Sequence, residues 1–297
     1  MYRPIALAVA TIALCACSQK EAGKPDSAAV AQSATPAAAH GFDPATHTAT
    51  VHAKDFSFDA PDSLPGGWTT FHLINDGPNF HHIQLVRLDS GKTVQDLGAA
   101  MKDPNAPPPR WAVFVGGPNA PSPGSASDAT LNLQPGNYAL ICVVDIPAHV
   151  PHAAKGMVRP LTVTAASGTP AAEPSADVTI TESDYKFDIP ASIAAGNHTF
   201  KVVNSGPQPH EVEIIRLAPG KTMKDFGEFM AKAYADKVDG PPPGDGLGGI
   251  TAMIPGGTEY FTANMTPGNY VMICFVPDMK DHKPHSDHGM VKEFTVK

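Results

Sequence analysis

Four side chains with metal-binding donors occur twice, in the same order, in this 297-residue chain: His81, Cys142, His152 and Met157, then His210, Cys274, His285 and Met290. Their surroundings repeat as well. INDGPNFHHIQLVRL at 74–88 returns as VNSGPQPHEVEIIRL at 203–217, and PGNYALICVV at 135–144 returns as PGNYVMICFV at 267–276. Superposing the halves moves Cys142 onto Cys274 by 132 positions, and moves His152 onto His285 and Met157 onto Met290 by 133. A period this long marks duplicated domains rather than a solenoid. One thiolate, two imidazoles and one thioether form a soft nitrogen-and-sulfur donor set. A trigonal His2Cys arrangement with a weak axial Met tunes copper for one-electron transfer, whereas zinc takes four strong ligands. Two such sets predict two copper sites.

The competing reading is ordinary packing, since buried Cys is common, Met fills core gaps, and a His beside an apolar strand is usually structural. That reading must place two imidazoles, a thiol and a thioether at equivalent positions twice by accident. A disulfide between Cys142 and Cys274 is the other use of the two sulfurs, but equivalent central positions in two separate sandwiches hold them too far apart.

These residues resemble those of the blue copper proteins, the cupredoxins. In that family the last strand pair reads Gly, x, Tyr, three residues, Cys, as Gly136, Tyr138 and Cys142 do, and as Gly268, Tyr270 and Cys274 do again. The first His of the family follows an Asn-containing turn, often directly after Pro; Pro209 before His210 fits, and Phe80 before His81 departs mildly. The ending of His, four residues, Met is present in both halves. Nine residues separate Cys142 from His152 and ten separate Cys274 from His285, which is closer to the ligand loop of copper nitrite reductases than to the short loop of plastocyanin-like members. The resemblance spans 47–165 and 177–297. It implies ligation by the eight residues above, with Asn75 and Asn204 tying the ligand loops together by hydrogen bonds.

Spacing selects among thirteen histidines. In DMKDHKPHSDHGM at 278–290, only His285 keeps the four-residue interval to Met290 that His152 keeps to Met157, so His282 and His288 are set aside. His149 lies before His152 as His282 lies before His285 and reads as a loop residue. His82 adjoins His81, and successive strand side chains point to opposite faces, so one of the two faces the site; alignment with His210 favours His81. His40, His47, His52, His72 and His198 lack matched contexts and read as surface or strand residues.

The elements that must position these residues are strands. WTTFHLI, HIQLVRL, ATLNL and NYALICVV alternate or run apolar between Pro and Gly punctuation, predicting an all-β chain of two tandem Greek-key β-sandwich domains, 47–165 and 177–297. Apolar residues at helical spacing, Val94, Leu97 and Met101 in 91–103 and Met223, Phe226 and Met230 in 220–236, predict one inserted helix per domain with packing methionines. Pro107 to Pro109 and Pro241 to Pro243 mark loops. The stretch 166–176, rich in Ala, Pro and Ser, reads as a linker, and 18–46, with few bulky apolar residues, as a flexible tether.

Residues 1–17 read as a signal peptide, too short to span a bilayer. Leu14, Cys15, Ala16 and Cys17 resemble a bacterial lipobox with Cys17 as the lipidated residue; Cys15 would need Leu14 at a small-residue position. Stable anchoring needs more than one acyl chain, and lipoproteins of this kind carry three, placing the protein on the periplasmic face of a bacterial membrane. Ser18 is not the Asp that retains such proteins at the inner membrane, which favours the outer one. Removing 1–17 leaves the chain one unit more negative than its net charge of −8, and no basic patch suggests nucleic acid. The resemblance implies an electron carrier, with copper storage or delivery as the alternative. An oxidase or reductase would need further histidines, commonly as His-x-His, and the sequence has none; a metal-free scaffold would hold no stoichiometric copper. A redox or copper-exchange protein is the implied partner.

Overall fold

The computed structural model describes residues 41–102, 108–145 and 149–297. Strands follow the alternation in the sequence. Thr48–Lys54 buries Ala49, Val51 and Ala53 and turns the intervening residues outward, and Gly67–Asn75 does the same with Thr69, Phe71, Leu73 and Asn75. A period of two on each strand supplies one buried face, and two such faces must cover each other.

The strands form two mixed nine-stranded sheets. The first runs Phe42–Asp43, Thr48–Lys54, Gly67–Asn75, Ala126–Leu133, Thr258–Met265, Gly196–Asn204, Val178–Ser183, Lys186–Asp188, with Ser57–Asp59 beside Thr48–Lys54. The second runs Val291–Val296, Gly268–Ile273, His210–Leu217, Gly244–Met253, Ala112–Gly116, Gln84–Leu88, Gly136–Ile141, Val158–Thr164, Ser63–Pro65. Both sheets pass from one repeat into the other, at Thr130 opposite Tyr260 and at Val115 opposite Met253. The described residues from 41 to 297 form one compact unit.

Two cores lie along this double layer. Phe71, Leu73, Leu85 and Leu140 pack with Cys142 and Met157 in the first, and Phe200, Ile214, Tyr270 and Met272 pack with Cys274 and Met290 in the second. Cys and Met of each set are therefore continuous with a close-packed interior, which fixes their rotamers.

Between the cores the contacts are polar and buried. Gln84 Nε2 donates to the Ala252 carbonyl at 2.9 Å, Thr251 Oγ1 to the Ile83 carbonyl at 3.1 Å, and the Gly117 amide to Glu259 Oε2 at 3.1 Å. The stretch 166–176 has no regular secondary structure, and its Glu173 accepts from Tyr260 Oη and Lys201 Nζ.

The two helices, Val94–Ala100 and Met223–Tyr234, begin at the first apolar residue of each spacing, inside the wider stretches 91–103 and 220–236. Thr93 and Thr222 fix these starts. Each Thr Oγ1 accepts the amide of Asp96 or Asp225, and each Asp carboxylate accepts the amide of its Thr, so the exposed donors of the first turn are satisfied at Thr and Gly-Lys stays outside. Leu97 with Met101, and Phe226 with Met223 and Met230, cover the outer faces of the second sheet. Among the described residues no helix is long and apolar enough to cross a membrane; residues 1–40, including the signal segment and Cys17, lie outside them.

Candidate metal centres

Each His-Cys-His set converges. The donor atoms of His81, Cys142 and His152 lie within 4.8 Å of one another, as do those of His210, Cys274 and His285. All six side chains are fully buried. Nδ1 of His81 is 3.1 Å from Nδ1 of His152, which is 3.5 Å from Cys142 Sγ; the second set repeats this at 3.0 Å and 3.4 Å.

Local backbone geometry delivers these atoms. Cys142 and Cys274 follow directly on Gly136–Ile141 and Gly268–Ile273. The second His of each set opens a 3-10 turn, His152–Lys155 or His285–His288. That turn closes on a glycine at φ 103° (Gly156) or 95° (Gly289), a conformation only Gly adopts freely. The reversal returns the chain to the cysteine: the Met157 amide donates to the His152 carbonyl at 3.0 Å and the Cys142 amide to the Met157 carbonyl at 3.2 Å, with identical distances for Met290, His285 and Cys274. Met157 and Met290 are fully buried.

The spacing argument did not find the partners of the first histidines. His81 Nε2 lies 2.7 Å from Asp55 Oδ1, and His210 Nε2 lies 3.0 Å from Asp184 Oδ1. A carboxylate accepts a hydrogen bond at that distance, so Nε2 carries the hydrogen and Nδ1 presents its lone pair to the centre. The other carboxylate oxygen accepts Asn79 Nδ2 or Gln208 Nε2 from the loop before each His. The aromatic residue after each Asp stands edge-on to the second His, Phe56 to His152 at 4.9 Å and Tyr185 to His285 at 5.5 Å. A signal was present: DFSFD at 55–59 and DYKFD at 184–188 repeat at the same 129-residue offset as His81 and His210.

Gly77 and Gly206 make room for these pairs. A Cβ on Gly77 would sit 2.7 Å from His81 Nε2, and one on Gly206 would sit 2.6 Å from His210 Nε2. Asn75 and Asn204 differ from expectation. Each amide donates within its own His loop, to the Asn79 or Gln208 carbonyl, and to the carbonyl of Pro121 or Met253. These asparagines brace the first-His turn, and their described bonds do not reach the Cys-to-His loop.

Electrostatics favour neutral imidazoles. Burial outweighs the aspartates and holds His81 and His210 below the usual histidine range, and burial together with the neighbouring His210 brings His285 down to about 4. Protons therefore do not compete for these lone pairs near neutrality. Burial pushes the Cys142 thiol up to about 12 and raises Cys274 as well, so a cation entering either set displaces a thiol proton. The donor set fits a soft, thiolate-binding ion. His285 Nε2 is buried with no hydrogen-bond partner, 3.8 Å from Asp278 Oδ2, whereas Asp278 is already engaged by Tyr185 Oη and Gln208 Nε2.

The remaining histidines lie elsewhere. His149 and His282 occupy matched left-handed turns, at φ 55° and 62°. His149 stacks on Tyr234 at 4.3 Å, and His288 pairs with Asp281 at 3.1 Å. His82 faces away from His81 and accepts the Val143 amide at 2.9 Å. His52, His72 and His198 pair with Asp76, Asp128 and Asp177; His40 is outside the described residues. Cys142 and Cys274 are both free thiols. A third group, Asp278, Asp281 and His288, has donors within 4.8 Å of one another, two of its members exposed.

No family model and no curated protein matches the chain. Among solved structures, reduced auracyanin from Roseiflexus castenholzii is 21% identical over 40% of this chain and 97% of its own, with a TM-score of 0.29. Copper nitrite reductase from Nitrosomonas europaea is 14% identical over 84% and 93%, with a TM-score of 0.24. Blue copper oxidase from the same organism is 14% identical over 85% and 76%, with a TM-score of 0.21. At scores this low the donor residues and their geometry carry the assignment.

Proposed function

We propose that this chain is a copper-binding electron carrier with two type 1-like centres, held by lipid on Cys17 at the periplasmic face of a bacterial membrane. The observation that carries the reading is the twofold convergence of one Sγ and two Nδ1 atoms, all from fully buried side chains. Copper bound there supplies a one-electron couple, and His2Cys with a thioether is the donor set suited to it. Met157 and Met290, fully buried beside the cysteines in the two cores, would supply the weak thioether donor.

The chain's own residues would then do three things. Asp55 and Asp184 fix the tautomer and direction of His81 and His210. The paired backbone bonds among Cys, His and Met hold the donors in one arrangement, so a change of charge requires little movement. Enclosure of all six donors keeps water and small substrates from the centres, which with the lack of any His-x-His favours electron transfer over catalysis. The second reading is copper delivery, favoured by the exposed carboxylate and imidazole of Asp281 and His288 in the loop that carries His285.

Copper loading followed by elemental analysis, a visible spectrum and a redox titration tests the proposal. The expected result is about two copper ions per chain with reversible one-electron cycling and metal retained. Thiolate-to-copper absorption should bleach on reduction, with a green or weak band acceptable given the long Cys-to-His loops. Copper leaving at each reduction would favour delivery, and absence of tightly held copper would overturn the metal assignment.

A further inference from the structure

The residue after the first histidine differs between the repeats, His82 in one and Glu211 in the other, yet both do the same thing. His82 Nε2 accepts the amide of Val143, which follows Cys142, at 2.9 Å; Glu211 Oε1 accepts the amide of Phe275, which follows Cys274, at 2.8 Å. The two side chains then meet on one residue. His82 Nδ1 lies 3.3 Å from Asn119 Oδ1, and Asn119 Nδ2 donates to Glu211 Oε2 at 3.4 Å.

The polarity of each link is forced by geometry. A backbone N–H can donate only to a bare ring nitrogen, so Val143 makes Nε2 of His82 the acceptor and leaves the hydrogen on Nδ1. The Ala120 amide donates to Asn119 Oδ1 at 3.0 Å, identifying that atom as oxygen, and Asn119 Nδ2 also donates to the carbonyls of Val212 and Ile250 at 3.2 Å each. His82, Asn119 and Glu211 are 5%, 3% and 7% exposed. The result is a buried, unbroken chain across the junction of the repeats, from the residue beside one cysteine to the residue beside the other. His82 is also bonded through the peptide to His81, as Glu211 is to His210.

Resting on the reading of both centres as one-electron sites, we propose that His82, Asn119 and Glu211 are the route by which the two centres exchange an electron within one molecule. One electron leaves one centre, oxidising it, and reduces the other; no covalent bond forms or breaks and no proton is consumed. Hydrogen bonds in a low-dielectric interior polarise one another, which favours such a chain over a gap of the same length. Nothing in either repeat alone requires Asn119 to face both side chains, and the polar residues at this junction are where an apolar seam would hold two sheets together equally well.

Glu211→Gln tests this with little change of shape. Its carbonyl can still accept from Phe275, but its NH2 then confronts Asn119 Nδ2 and the middle link is cut. His82→Phe cuts the first link instead. The full-length chain is loaded with copper in a Met290→Leu background, which separates the centres in potential, and less than one electron per molecule is delivered by pulse radiolysis. The expected result is a redistribution phase that is first order and independent of protein concentration, slowed several-fold by either substitution while copper content and both visible bands persist. In the copper-free protein, Glu211→Gln should also shift the amide resonance of Val143 in the other repeat. Redistribution at an unchanged rate in both variants, or no redistribution although each centre is reducible, would overturn the route. Failure to hold or reduce copper would instead refute the reading of the centres.

Discussion

Removal of Asp55 isolates what an orienting carboxylate contributes to the first centre. In Asp55→Ala the His81 Nε2–H, in a fully buried ring, loses the acceptor 2.7 Å away, and Asn79 Nδ2 loses one at 2.6 Å. A buried donor left without a partner costs about 1–3 kcal/mol. Part of that falls on the stability of the metal-free fold, and part on binding, because the imidazole is free to change tautomer and rotate Nδ1 off the site. Loss of such a partner lowers metal affinity by about 10–100-fold, equivalent to about 1.4–2.8 kcal/mol, which matches the hydrogen-bond figure. The assay is a competition titration against a chelator in the Cys274→Ser background, so that only the first set binds. Asp184→Ala in the Cys142→Ser background should give the same loss at the second set, somewhat smaller since its contact is 3.0 Å. Affinities within about threefold of the parents, a difference below about 0.7 kcal/mol, would refute the claim that these carboxylates hold the ligands.

Gly77→Ala and Gly206→Ala should each abolish copper binding at one set and leave far-ultraviolet circular dichroism unchanged, because the added Cβ would lie 2.7 Å or 2.6 Å from Nε2 of His81 or His210; metal analysis reads the outcome. Burial holds the Glu182 and Glu259 carboxyls well above their ordinary range. The folded chain keeps protons there that the unfolded chain has released, so this contribution to stability is complete below about pH 4.5 and falls as pH rises. Glu182→Gln should flatten the decline in melting temperature as pH rises above about 4.5 in the copper-free protein, and an unchanged decline would count against it. Cys17→Ala should move the protein from the membrane to the soluble fraction with both copper sites intact; retention in membranes would place the anchor elsewhere.

Local rules carried the sequence a long way. Alternation marked the strands, spacing marked both helices, and the interval from His285 to Met290 singled out one histidine among three, because each of these patterns is written within a few residues. Alignment with His210 favoured His81 over His82, and their side chains do face apart, although both residues precede the strand Gln84–Leu88. What only the tertiary structure decided were the partners brought from afar. Asp55 meets His81 across 26 positions, as Asp184 meets His210; its DFSFD signal was legible, but a carboxylate acquires this role only when the hairpin turn that carries it folds over the His loop. The union of the repeats was less legible still. Thr130 opposite Tyr260 and Val115 opposite Met253 leave no trace in local periodicity, because sheet edges pair through backbone groups that every sequence shares. The same holds for Asn119: its counterpart 132 positions on, as Met253 is from Pro121, is Thr251, and nothing local to either residue says that Asn119 meets His82 and Glu211. His82 and Glu211 share no chemistry that an alignment would equate, and only their common acceptance of the amide after each cysteine makes them equivalent.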